Sequence, residues 1–173
     1  AGPLELAGYQ YKGVIPGLIR RAKYGGEWSV LAALTAPILP DLAPALQGID
    51  ALVPVPTTPG RWLTRGFNPA GVIALRLGRG LGHEVAALGL RKAPGRLHQA
   101  GLTGAERELN ARLAYNIQGS AVQGLRLCVV DDVWTTGATL NACRDALMGA
   151  GACEVRVFSL ARVGRPAGSR RSQ

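Results

Sequence analysis

The sequence predicts an α/β fold, a mostly parallel twisted sheet flanked by helices, with a small helical layer ahead of it. Three observations carry that reading. Residues 125–130 and 155–160 are nearly continuous apolar runs, the pattern of strands buried on both faces. Between them, 141–148 places apolar residues at helical spacing. The same alternation of strand and helix recurs earlier in the chain, as in sheets whose parallel strands are joined by crossover helices.

Taken in order, residues 1–45 are expected to form the N-terminal layer, part of the same compact unit. Leu18, Ile19 and Ala22, then Leu31 and Leu34, have helical spacing, and Gly25-Gly26 separates the two segments. Pro37, Pro40 and Pro44 mark the exit toward the core, residues 46–163. There, 51–55 reads as the first strand of the sheet and 70–81 as a helix ended by Gly80-Leu81-Gly82. A second strand follows over 85–90, then a polar, glycine-containing loop over 95–104. Thr103 with Glu106 three residues on has the spacing of a capping box. Residues 164–173 form a basic tail. His83 reads as a surface strand residue.

Composition narrows the functional classes. With 173 residues, 47% of them hydrophobic and 18% charged, the chain is long and apolar enough for one domain with a real core. No apolar stretch is expected to approach the ~20 residues of a membrane span. The start lacks the layout of a signal peptide, so a cytoplasmic location is expected. Cys128, Cys143 and Cys153 are odd in number and widely spaced, which argues against a disulfide framework. Cys128 falls in a core strand and reads as a small buried residue. The formal charge of +9 favours anionic partners without distinguishing a small phosphate ester from DNA.

Chemistry concentrates in residues 125–140, LRLCVVDDVWTTGATL. The apolar run ends in Asp131 and Asp132, and open α/β sheets bind ligands at such strand ends. A turn of small and hydroxyl residues follows, Thr135, Thr136, Gly137, Ala138 and Thr139, and then a helix begins. A helix start leaves backbone N–H groups unpaired and carries partial positive charge, so it can hold a phosphate. Gly137 permits close backbone approach, and the threonine hydroxyls add donors. An ordinary helix cap beside a solvated strand end would explain Asp131-Asp132 alone; the strand before and the helix after weigh against it. No Gly-Lys-Ser/Thr follows, so this is not a Walker A loop. The combination describes a site for a phosphorylated sugar with hydroxyls and a metal. Trp134 either shields that sugar or packs against the core.

A second cluster is 54–65. Pro54 and Pro56 end a strand and force a loop. Arg61 and Arg65, four apart, share a face if the segment is helical, and arginine forks suit phosphate oxygens. A pair of solvated surface arginines is the plainer alternative.

Residues 129–139, VVDDVWTTGAT, resemble the phosphoribosyl-pyrophosphate (PRPP) motif of type I phosphoribosyltransferases. Lys23-Tyr24-Gly25-Gly26, Val53-Pro54-Val55-Pro56, Arg61 and Arg65-Gly66-Phe67-Asn68 narrow the resemblance to the ComF branch. Gln99, Leu102, Arg107, Asn110 and Leu160-Ala161-Arg162 continue it, so that it runs from about residue 9 to 162. The resemblance implies a type I phosphoribosyltransferase-like fold with an N-terminal hood. It implies that Asp131 and Asp132 face the ribose hydroxyls, directly or through Mg²⁺, and that 135–139 hold the 5′-phosphate. It assigns pyrophosphate to Pro56, Arg61 and Arg65, and a lid to 91–110, in which Gln99, Arg107 and Asn110 match the family. Arg96 stands where the family more often has threonine and is a catalytic candidate, His98 is a candidate lid contact, and an exposed loop with incidental charge is the plainer alternative. Asn68 matches, but Pro69 replaces the family's glutamine. The expected ligands are PRPP or another phosphoribosyl compound with Mg²⁺. Association with natural transformation implies single-stranded DNA and other competence proteins as partners. Many ComF proteins also carry a pair of Cys-x-x-Cys elements resembling a zinc site; this chain has none, and no zinc is expected in it.

Overall fold

The computed structural model describes residues 4–92, 114–117 and 121–164. The chain runs β1 (Glu5–Gln10), α1 (Ile15–Gly25), α2 (Trp28–Thr35), a 3-10 turn (Ala36–Ile38) and α3 (Leu39–Leu46). It continues with β2 (Ala51–Pro54), α4 (Pro59–Arg65), α5 (Pro69–Leu81), β3 (Glu84–Val85) and β4 (Leu90–Lys92). Then come β5 (Tyr115–Ile117), β6 (Arg126–Trp134), α6 (Ala138–Gly149) and β7 (Glu154–Arg162). Five strands make one sheet in the order β1-β7-β6-β2-β3, and every pairing in it is parallel. Strands β4 and β5 form a separate antiparallel ribbon.

The period of two along β6 explains how one strand serves two cores. Leu127 and Val129 point toward α6, with Val53, Leu140, Cys143 and Leu147. Cys128 and Val130 point the other way, against Ile19, Leu31, Leu46, Ile73 and Leu77 of the helices on the opposite face. Both faces are dry, so the strand reads as a continuous apolar run rather than an alternating one. Cys128 is buried there, and burial pushes its thiol up to about 12, which suits a packing role.

Four features differ from the sequence reading. A first strand, β1, lies at the sheet edge beside β7, where the sequence suggested only helices. A Cβ at Gly8 would lie 2.8 Å from Ile38 Cδ1 and 3.0 Å from the Leu160 carbonyl oxygen, a close approach that favours glycine. The three prolines do not mark an exit. Pro37 is in the 3-10 turn, Pro40 in the first turn of α3 where no intrahelical donor is lost, and Pro44 near the end of that eight-residue helix. The segment 85–90 is no single strand. Leu88 (φ 47°) and Gly89 (φ 72°) take left-handed backbone and divide it into β3 and β4.

The fourth difference is apolarity. Trp28–Leu46, 19 residues at mean hydropathy 1.5, has the length and composition of a membrane-crossing helix, which corrects the expectation that no stretch approaches that size. In the fold it is broken into α2, the 3-10 turn and α3, it includes Asp41, and it places Leu31, Ile38, Leu42 and Leu46 in the core against the sheet and α5.

Candidate active site

The carboxyl ends of β2 and β6 open into a cavity of about 600 Å³, within the size range of small-molecule sites. Asp131 and Asp132 are consecutive in β6, so their side chains leave opposite faces of the strand, and each meets different neighbours. Asp131 lies on the side of α6 and the β4–β5 ribbon; one of its oxygens accepts the Asp132 backbone N–H at 2.8 Å. Burial pushes its carboxyl up to about 7, and the adjacent Asp132 charge adds to this. Asp132 turns toward the N-terminal helices. Its Oδ2 is 2.7 Å from Nζ of Lys23, in the last turn of α1, and the two side chains are only 10% and 19% exposed.

The loop after β6 forms a small recess of about 30 Å³ lined by 133–140 and Asp131. Gly137 sits before the first turn of α6 at φ 81°, and a Cβ there would lie 2.7 Å from Nε1 of Trp134. Both the backbone angle and the close approach require glycine. The Ala138 N–H reaches Thr136 Oγ1 at 3.3 Å, while Thr135, Thr136 and Thr139 remain exposed. The recess therefore presents hydroxyls and a helix start to solvent, as an anion site requires. Trp134 packs in the core, 4% exposed, with the Arg162 guanidinium 4.2 Å above its ring.

Arg61 and Arg65 do lie on a helix, α4, one turn apart. Thr58 caps its start by accepting the Arg61 N–H, and Gly66 ends it in left-handed backbone. The helix buries none of its residues; Trp62 and Leu63 are exposed. Both arginines line the cavity with Pro56, facing the acid pair from the β2 side. Arg65 also stacks over Tyr24 at 5.2 Å. Asn68 borders the cavity, and its contacts are structural: Oδ1 caps α5 by accepting the Ala70 N–H at 3.2 Å, and Nδ2 donates to the Val55 carbonyl at 2.9 Å. His83 lies just before β3 rather than within it. Arg96, His98, Gln99, Arg107 and Asn110, and the capping-box pair Thr103 and Glu106, lie outside the described residues.

Among the side chains that the fold adds to the site without a sequence assignment are Lys23, Lys92 and Tyr115. Lys23 is the partner of Asp132. Lys92 of β4 and Tyr115 of β5 close the α6 side, where burial lowers the Lys92 ammonium and raises the Tyr115 hydroxyl. Lys23 was visible as part of a family segment; nothing in sequence linked it to a carboxylate 109 residues later. Among the described residues, no group of three or more His, Cys, Asp and Glu could hold a metal ion. The acid pair suits a metal such as Mg²⁺ that retains waters and shares the oxygens of a bound ligand.

A parallel sheet with an acid pair and a glycine-threonine loop at the end of its central strand is the type I phosphoribosyltransferase-like fold. A solved structure supports the fold: an alanine mutant from a study of an invariant aspartic acid in HPRTs, with a TM-score of 0.52 and 13% identity, covering 84% of this chain and 74% of that one. No protein-family model matches the chain. Among curated proteins, DNA utilization protein YhgH of Salmonella typhimurium is 30% identical over 150 residues, 84% of this chain and 66% of the relative. Competence protein F of Haemophilus influenzae is 32% identical over 115 residues, 65% of this chain and 50% of the relative. Competence protein ComFC of Bacillus subtilis is 27% identical over 156 residues, 89% and 62% of the two lengths. The chain belongs to the ComF family. It spans no more than 66% of the length of these relatives.

Proposed function

We propose that this chain binds PRPP, or another phosphoribosyl ligand, together with Mg²⁺, and transfers the phosphoribosyl group to an acceptor. The observation that carries the reading is one cavity lined by Asp131, Asp132, Arg61, Arg65, Thr135 and Thr139, with the recess of the 135–139 loop sharing Asp131, Thr135 and Thr139 with it. In this reading the loop and the start of α6 hold the 5′-phosphate, the acids face the ribose hydroxyls, and the two arginines receive pyrophosphate. Mg²⁺ brought in with the ligand would offset negative charge on the departing pyrophosphate. The arginines then stabilise the leaving group, and the carboxylates offset positive charge at the sugar's anomeric carbon. Gln99 and Arg107 are assigned by family resemblance to a lid over this site, and Arg96 of the same segment is a candidate for catalysis.

Calorimetry with PRPP and Mg²⁺ tests binding. Saturable heat lost in Asp131→Asn/Asp132→Asn is expected; no heat with folded wild-type protein would overturn the assignment. A screen for pyrophosphate release across candidate acceptors then tests transfer, with the same double variant as the control.

The relatives' names and the charge of +9 favour a second role beside this one: contact with single-stranded DNA or other competence proteins in the cytoplasm. An electrostatic DNA contact loses affinity steeply as salt rises. A salt titration of single-strand binding checks it, and salt-insensitive or absent binding at low salt removes it.

A further inference from the structure

We propose that Lys23 is a resident cation of the carboxylate site, and that its contact with Asp132 makes divalent-metal binding conditional on the phosphorylated ligand. The inference rests on the phosphoribosyl reading above and adds an order of events to it. Nζ of Lys23 sits 2.7 Å from Oδ2 of Asp132, with both side chains largely shielded from water. Shielding matters, because an ion pair weakly screened by solvent is harder for a competing cation to displace. Asp131 is the second carboxylate, and one of its oxygens already accepts a backbone N–H. Among the described residues no further acid, histidine or cysteine joins the pair.

A divalent ion arriving alone therefore meets a poor bargain. It must shed waters, which Mg²⁺ does reluctantly, to gain two carboxylates, one of them held by a lysine. A phosphorylated sugar changes both sides of this comparison. Its oxygens supply the ligands that the protein lacks, and its negative charge gives the ammonium an alternative partner within the same cavity, which Lys23 lines. The four-carbon stem of lysine lets the charge move without moving α1. Arg61 and Arg65 line the same cavity from α4, Arg65 resting on Tyr24 beside Lys23, so the ligand meets further positive charge there.

Manganese as a paramagnetic probe separates these steps. Free Mn²⁺ is followed by electron paramagnetic resonance in wild type, Lys23→Met and Lys23→Arg, each alone and with PRPP, after correction for metal that PRPP binds in solution. Wild type is expected to bind Mn²⁺ weakly alone and at least about tenfold more tightly with PRPP, while Lys23→Met tightens metal-alone binding by about tenfold and narrows that gap. Lys23→Arg keeps the wild-type pattern. The proposal is overturned if Lys23→Met leaves metal-alone affinity unchanged, or if wild type binds Mn²⁺ equally well with and without PRPP. Should Lys23→Met fail to fold, Lys23→Gln is read by the same criteria. If PRPP fails to bind with any metal, the phosphoribosyl reading falls, and the metal-alone comparison still decides the lysine contact.

Discussion

Replacing Gly137 by alanine isolates the role of the phosphate loop's tightest point. Two separate costs meet there. The backbone at φ 81° is left-handed, which costs an alanine about 1–2 kcal/mol. The added methyl would also lie 2.7–2.9 Å from the Trp134 indole, which is buried and stacked beneath Arg162. Displacing a packed ring typically costs a further ~1–3 kcal/mol. Gly66 supplies the control, because it has nearly the same backbone, φ 74°, with nothing within 4 Å of its Cβ position. Gly66→Ala should lose only the first cost, and Gly137→Ala both. At roughly 2–4 °C per kcal/mol for a chain of this size, the Tm gap between the two variants is about 2–12 °C. Thermal melts and urea unfolding of both variants measure it. Equal losses would mean that the Trp134 wall yields freely and that the loop is not held rigid by the core.

Two further outcomes follow from the same geometry. The Asp131 carboxyl is raised when folded, whereas in the unfolded chain it ionises near an ordinary value of about 4. Between that value and about 7 the folded protein binds more protons, so stability should fall as pH rises through this window and level off above it. Urea unfolding at pH 5 and pH 8 reads the fall; Asp131→Asn should flatten it and be more stable than wild type at pH 8, and an identical slope in both proteins would refute the cause. Asn68→Ala should cost about 1 kcal/mol through loss of the α5 cap. Asn68→Asp should restore the cap but not the donor to Val55, giving an intermediate Tm; no loss in Asn68→Ala would show the cap to be idle.

Much of this was legible in the chain because it is local. The β6 run, the turn after it and the start of α6 are contiguous, so one window of sequence encodes strand, acid pair and phosphate recess together. Arg61 and Arg65 were readable for the same reason, since their shared face depends only on a one-turn spacing. What escaped was long-range. Strand β1 has no distinctive pattern, and what makes it a strand is a neighbour more than 150 residues away in the sequence. Lys23 looks like any basic residue at the end of a helix until the fold places Asp132 against it. The prolines of 37–44 misled because their effect depends on position within a turn, which composition alone does not give. The different surroundings of Asp131 and Asp132 follow from strand alternation, but which face carries which neighbour is a tertiary fact.

The place of β1 also bears on how the protein is made. Glu5 pairs with Val157 and Gln10 with Arg162, so β1 waits for a strand synthesised more than 150 residues later. Strand β7 in turn lies between β1 and β6, which means the sheet cannot be completed from its N-terminal side as synthesis proceeds. Sheets closed by such distant pairings fold slowly, because loop-closure entropy is lost before the contacts that compensate for it have formed. Until then the apolar 28–46 segment can meet α5, β2 and β6 but lacks Phe158 and Leu160 of β7, which complete its core.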